Sequence, residues 1–227
     1  YHFSFSSYYN PNKRGFGSLR VLNDDLIKSK GGFDTHPHKN MEIITYVIDG
    51  ELTHQDSMGN KRTLSRGQVQ YMSAGTGVFH SEYNNGDTDL RLLQIWILPD
   101  KTDVTPNYGD KLYELKDRLN KQYIIVSNGK CETDIKIEQD AEITIGEYQN
   151  DTNIDISIED YNYIYYVQIE GNAVVEGNKL DLGDAFVSNQ DVSIQLKTGA
   201  HFLYIKTKDI VILDEPTDGF ASEQIDK

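Results

Sequence analysis

Short runs of apolar or alternating residues recur along this chain, each closed by glycine, asparagine or aspartate. They include Glu42-Ile43-Ile44-Thr45-Tyr46-Val47-Ile48, Leu90 to Leu98, Gln122 to Val126, Tyr163 to Ile169 and Phe202 to Ile205. Runs this short, punctuated at regular spacing, predict β-strands of a sandwich or barrel rather than helices. Asp49-Gly50 and Gly59-Asn60 read as tight hairpin turns, because glycine and asparagine accept positive φ cheaply. The one helical pattern runs from Gly109 to Asn120, where Leu112, Leu115 and Leu119 fall on one face. It follows Pro99 and Pro106, which suits a connection between two domains.

An internal repeat supports that division. Tyr46-Val47, Gly50, Gly59-Asn60-Lys61, Leu64 and Gly67-Gln68 have a counterpart in Tyr166-Val167, Gly171, Gly177-Asn178-Lys179, Leu180 and Gly183-Asp184. The chain therefore reads as an all-β protein of two barrels in tandem with a short helical connection. The expected boundaries are residues 1–118, 119–208 and a C-terminal tail, 209–227. On this alignment the places of His36 and His38 fall near Ser157 and Glu159, and no histidine matches His80, so the second barrel is expected to be metal-free.

Composition narrows the classes of function. Twenty-two basic residues against thirty-six acidic ones leave a net charge of −14, which repels a phosphate backbone and argues against direct nucleic-acid binding. No stretch approaches the roughly 20 apolar residues that cross a bilayer, so no membrane is expected. Cys131 is the only cysteine, which excludes an intrachain disulfide and a thiolate zinc cluster. The first residues lack the basic and apolar regions of a secretory signal, and a cytoplasmic location is expected, with the start of the chain open to trimming.

Two pieces carry candidate chemistry: Thr35-His36-Pro37-His38 and Phe79-His80-Ser81-Glu82-Tyr83. Residues two apart on a strand share a face, so each piece offers two ligand atoms to one side. Three imidazoles and a carboxylate suit iron, nickel, copper, manganese or zinc, and a six-coordinate metal with four protein ligands keeps two positions for other molecules. Pro37 removes a backbone donor between the histidines, which predicts an edge or irregular strand. His54, two residues before Asp56, is a weaker candidate. Ser81 faces away from His80 and lies in no G-x-S-x-G turn, so a serine hydrolase is rejected.

Gly31, His36-Pro37-His38, Glu42 and Gly50 approximate the first cupin motif, and Gly67, Gly75, His80 and Asn84 the second. Ser73 stands where that second motif has proline, and four residues separate Gly75 from His80. With Phe3-Ser4-Phe5, Tyr8-Tyr9-Asn10-Pro11, Gly15-Phe16-Gly17-Ser18-Leu19-Arg20-Val21-Leu22-Asn23-Asp24-Asp25, His54-Gln55-Asp56-Ser57-Met58-Gly59-Asn60, Met72-Ser73-Ala74-Gly75-Thr76-Gly77, His80-Ser81-Glu82 and Leu93-Gln94-Ile95-Trp96-Ile97, the sequence resembles the pirin family of bicupins. The resemblance is dense in the N-terminal half and loose beyond it.

That resemblance implies a monomer of two cupin (jelly-roll type) barrels, with one divalent metal, Fe(II) foremost, in the N-terminal barrel. Mn, Ni, Cu or Zn would suit the same ligands. Carried over, the ligands are His36, His38, His80 and Glu82. The ordinary cupin pattern would use Glu42 instead; Glu82 is preferred because it shares a face with His80, leaving Glu42, like His54, a candidate partner behind an imidazole. The implied activity is cleavage of quercetin-like flavonols with dioxygen (quercetin 2,3-dioxygenase), giving carbon monoxide and a depside, with Glu82, or Glu42 if it is not tied to a histidine, accepting the hydroxyl proton. The alternative is a non-enzymatic, iron-binding, redox-responsive regulator that acts through a partner protein.

Overall fold

The structure is a computed structural model that describes residues 1–5, 9–11 and 14–208. The tail expected over 209–227 lies outside the described residues. Among the described residues nineteen strands and one short helix follow one another: β1 (Leu19–Ile27), β2 (Gly32–His38), β3 (Glu42–Asp49), β4 (Glu51–Asp56), β5 (Lys61–Ser65), β6 (Gln68–Ser73), β7 (Val78–Tyr83), β8 (Leu90–Ile97), β9 (Asn107–Leu112), α1 (Leu115–Arg118), β10 (Tyr123–Ser127), β11 (Ile135–Lys136), β12 (Ala141–Tyr148), β13 (Thr152–Ile156), β14 (Tyr163–Glu170), β15 (Ala173–Val175), β16 (Asn178–Leu180), β17 (Ala185–Ser188), β18 (Val192–Leu196) and β19 (Ala200–Thr207). Contacts group them into two units, Tyr1–Asp110 and Lys111–Ile210.

In the first unit one sheet has the order β1-β8-β3-β6-β9 and the other β2-β7-β4-β5. In the second the orders are β11-β10-β12-β19-β14-β17 and β13-β18-β15-β16. Stripped of the extra edge strands, both units share one eight-strand pattern, that of a jelly roll. The repeat legible in the sequence is therefore a repeat of topology.

The turns show why. Gly50 (φ +78°) and Gly171 (φ +69°) occupy the same place in the two units. At each, a Cβ would lie 2.6 Å from a backbone carbonyl, that of Asp89 or of Gly199, so only glycine fits. Asp49-Gly50 is not a hairpin turn, contrary to the sequence expectation. β3 pairs with β6 and β8, and this turn hands the chain to the other sheet. Gly59-Asn60 does close a hairpin, that of β4 and β5.

The expected helix over Gly109 to Asn120 shrinks to Leu115–Arg118, capped by Glu114 and Asp117. Asn107–Leu112 instead adds an edge strand beside β6, a tertiary pairing that overrides the local leucine spacing. Leu112 and Leu115 are exposed, and the buried groups are Tyr113 and Arg118. Residues 113–118, placed with the first domain by the sequence pattern, make contacts in the second unit: the Tyr113 hydroxyl donates to the Ile125 carbonyl and Arg118 pairs with Glu147.

Cross-strand register arranges the interior of the first unit in rows. Val21, Trp96, Ile43 and Met72 form an apolar row across β1, β8, β3 and β6; Asn23, Gln94, Thr45 and Gln70 form a polar row beside it. In the second unit the strands that correspond to β2 and β7 face inward with apolar side chains, Ile154, Ile156, Val192 and Ile194, packed among Tyr166, Phe202 and Tyr204. Burial of each such side chain contributes roughly 1.5–3 kcal/mol. Ser157 and Glu159, the positions aligned with His36 and His38, lie beyond the end of β13, and the inward residues of that strand are Ile154 and Ile156.

Candidate metal centre

β2 is an edge strand, and its register with β7 shifts between Phe33 and His36. The shift matters because His36 lies three positions after Phe33, a spacing that would otherwise put them on opposite faces. Phe33 stands opposite Glu82 and His36 opposite His80, so the irregularity brings both pairs inward. This is the irregular edge expected from Pro37.

His36, His38 and His80 converge, with ring centroids 4.5–4.9 Å apart. The His36 Nδ1 lies 2.7 Å from the Asp34 carbonyl. A carbonyl only accepts, so Nδ1 carries the proton and Nε2, 3.0 Å from His80 Nε2, keeps its lone pair. Burial first, then the neighbouring His38, His36 and His54, holds the His80 pKa well below its ordinary value, so this ring stays neutral with a lone pair to give. His38 is buried, its ring edge-on to Trp96 at 4.8 Å. Trp96, part of the apolar row, thus also walls the imidazole cluster.

Glu82 is buried on the same strand as His80. Its Oε1 accepts from Gln70 Nε2 at 2.6 Å and from the Thr45 hydroxyl at 3.3 Å, and its Oε2 from Gln94 Nε2 at 2.6 Å. All three donors are neutral, and no lysine or arginine among the described residues pairs with this carboxylate. A buried carboxylate without a cation is costly, and three imidazoles beside it form a donor set that a divalent metal fits.

Of the other candidates, His54 lies opposite Glu82 on β4, its ring 5.4 Å from that of His80. Glu42 does not join them. It sits on β3 on the face opposite Thr45, where the Tyr71 hydroxyl donates to it at 3.0 Å. Sequence reasoning missed the amides Gln70 and Gln94, whose signal is a polar residue inside an otherwise apolar strand. It also missed Asp25, one inward step beyond Asn23, whose pKa burial and then the nearby Glu82 push up to about 6.

Paired jelly rolls with a histidine and carboxylate cluster inside one of them define a tandem cupin protein. The Pirin profile matches residues 1–97, and that of the quercetinase C-terminal cupin domain residues 124–206. The chain is 39% identical over 204 residues to "Quercetin 2,3-dioxygenase" of Escherichia coli strain K12, covering 88% of this chain and 87% of that protein. It is 46% identical over 144 residues to a "Pirin-like protein" of Caulobacter vibrioides, covering 63% and 62%. The crystal structure of the bacterial pirin YhhW from Escherichia coli in complex with nickel(II) superposes with a TM-score of 0.84 at 37% identity, covering 92% of this chain and 90% of that one. This chain belongs to the pirin family. Among the described residues no helix is long and apolar enough to cross a membrane.

Proposed function

We propose that the chain is a metal-dependent dioxygenase that cleaves quercetin-like flavonols, with His36, His38, His80 and Glu82 as the residues that hold the metal. The observation that carries this reading is Glu82, a buried carboxylate that meets only neutral donors beside three imidazoles. The names of the relatives and the nickel(II) complex of YhhW support it.

When bound, a divalent transition metal supplies Lewis acidity that lowers the pKa of a coordinated hydroxyl, together with open positions for further ligands. The residues of the chain do the rest. The Asp34 carbonyl fixes the tautomer of His36. Gln70 and Gln94 hold Glu82 from both oxygens, and Glu82 accepts the proton of the substrate hydroxyl. The row of Val21, Trp96, Ile43 and Met72 gives an aromatic substrate an apolar wall that excludes water. Asn23, wholly buried, has neither carboxamide atom in a hydrogen bond, and so carries both a donor and an acceptor for substrate hydroxyls.

The test is aerobic incubation of iron-, manganese-, nickel- and copper-loaded protein with quercetin, following flavonol absorbance and carbon monoxide release. Loss of absorbance with carbon monoxide in at least one loaded form is expected. No consumption by any loaded form would leave the regulator as the better reading.

A further inference from the structure

His54 has the surroundings of a ligand. It is wholly buried on β4 and stacks on Tyr108 with centroids 4.8 Å apart. Its Nε2 lies 3.1 Å from Asp56 Oδ2. A carboxylate accepts, so Nε2 carries the proton and Nδ1 keeps its lone pair. That Nδ1 is buried and has no hydrogen-bond partner.

Asp56 is held in turn. Its Oδ1 accepts from the backbone nitrogens of Met58 at 2.9 Å and Asn60 at 3.0 Å, and the Asn60 amide reaches both oxygens, at 3.1 and 2.9 Å. An imidazole with a fixed carboxylate behind one nitrogen and a free lone pair on the other is the support typical of metal-ligating histidines. The donor atoms of His54, His80 and Glu82 all lie within 4.8 Å of one another, as do those of His36, His38 and His80.

We propose that His54, His80 and Glu82 form a second seat for a divalent transition metal, beside the seat of His36, His38, His80 and Glu82 and sharing His80 and Glu82 with it. The inference rests on the reading of this barrel as a metal site. Two imidazoles and one carboxylate make the donor set that suits non-haem Fe(II) with open coordination positions. Because His80 and Glu82 are common to both seats, one ion occupies one seat at a time.

The experiment titrates the metal-stripped full chain with Co(II), read by its visible ligand-field absorption and by equilibrium dialysis. Three proteins are compared: wild type, His36→Ala with His38→Ala, and that pair with His54→Phe added, which keeps the stacking on Tyr108. The double variant is expected to bind one equivalent with a ligand-field spectrum different from wild type. Adding His54→Phe should weaken that binding by at least about 10- to 100-fold, the range for loss of a metal-supporting residue. Cooperative thermal unfolding reports the fold of each. If the alanine pair does not fold, His36→Gln with His38→Gln replaces it. A folded double variant that binds no Co(II), or whose affinity is unchanged by His54→Phe, overturns the second seat and leaves the first intact. A wild-type chain that binds no Co(II) removes both.

Discussion

Glu82 brings its carboxylate into a buried interior and meets there two amides and a hydroxyl, all neutral. If it is a ligand and Glu42 is not, Glu82→Gln weakens metal retention far more than Glu42→Gln. Chelator competition checks this, with Glu42→Gln expected within about tenfold of wild type, at or below the range for groups that only support a ligand. Asp25 gives a second prediction. Its folded pKa, raised to about 6, lies above the unfolded value near 4. As pH rises through that window the unfolded chain releases its proton first, so the metal-free protein loses stability, on the order of 2–3 kcal/mol from this group. Denaturant melts from pH 4 to 7 should show a decline that Asp25→Asn lacks. The ligand candidates were legible because two same-face pairs survive as short motifs. Gln70, Gln94 and Asp25 were not, since their role depends on which strands the fold sets side by side.

At the scale of elements, most strands were legible because their apolar runs are bounded by glycine, whereas pairing between distant strands leaves no local trace. Asp49-Gly50 illustrates this: the dipeptide marks a turn, but whether it closes a hairpin or changes sheets depends on β6 and β8 as partners of β3. The two kinds of turn should respond differently to a methyl group. Gly59 (φ +93°) has nothing within 4 Å of an added Cβ, so Gly59→Ala should cost only the left-handed strain of about 1–2 kcal/mol. Gly50→Ala adds a clash with the Asp89 carbonyl and the Leu90 Cα and should cost clearly more. Chemical denaturation of both variants measures the difference. The leucine stripe from Gly109 misled for a related reason, because the extra edge strand β9 uses part of it.

Across the whole molecule the chain repeats one topology and varies its filling. The first barrel encloses His38, His54, His80 and Glu82 beside the half-buried His36, and the second encloses Ile154, Ile156, Val192, Ile194 and aromatic rings in the corresponding strands. One metal equivalent per chain is therefore expected by elemental analysis, and none in His36→Ala combined with His80→Ala. The repeat in the sequence announced the duplication, but only the register of β13 with β18 shows which residues replaced the histidines. Cohesion of the first barrel comes from its apolar rows, so removing one imidazole should leave a folded chain. The most direct measurement is oxygen uptake on adding quercetin, with carbon monoxide quantified in parallel, for the metal-loaded wild type and for His80→Ala. Equal amounts of quercetin consumed, dioxygen taken up and carbon monoxide released are expected in the wild type, and no uptake by a His80→Ala chain that still unfolds cooperatively. A folded, metal-loaded wild type that takes up no oxygen with quercetin would contradict it.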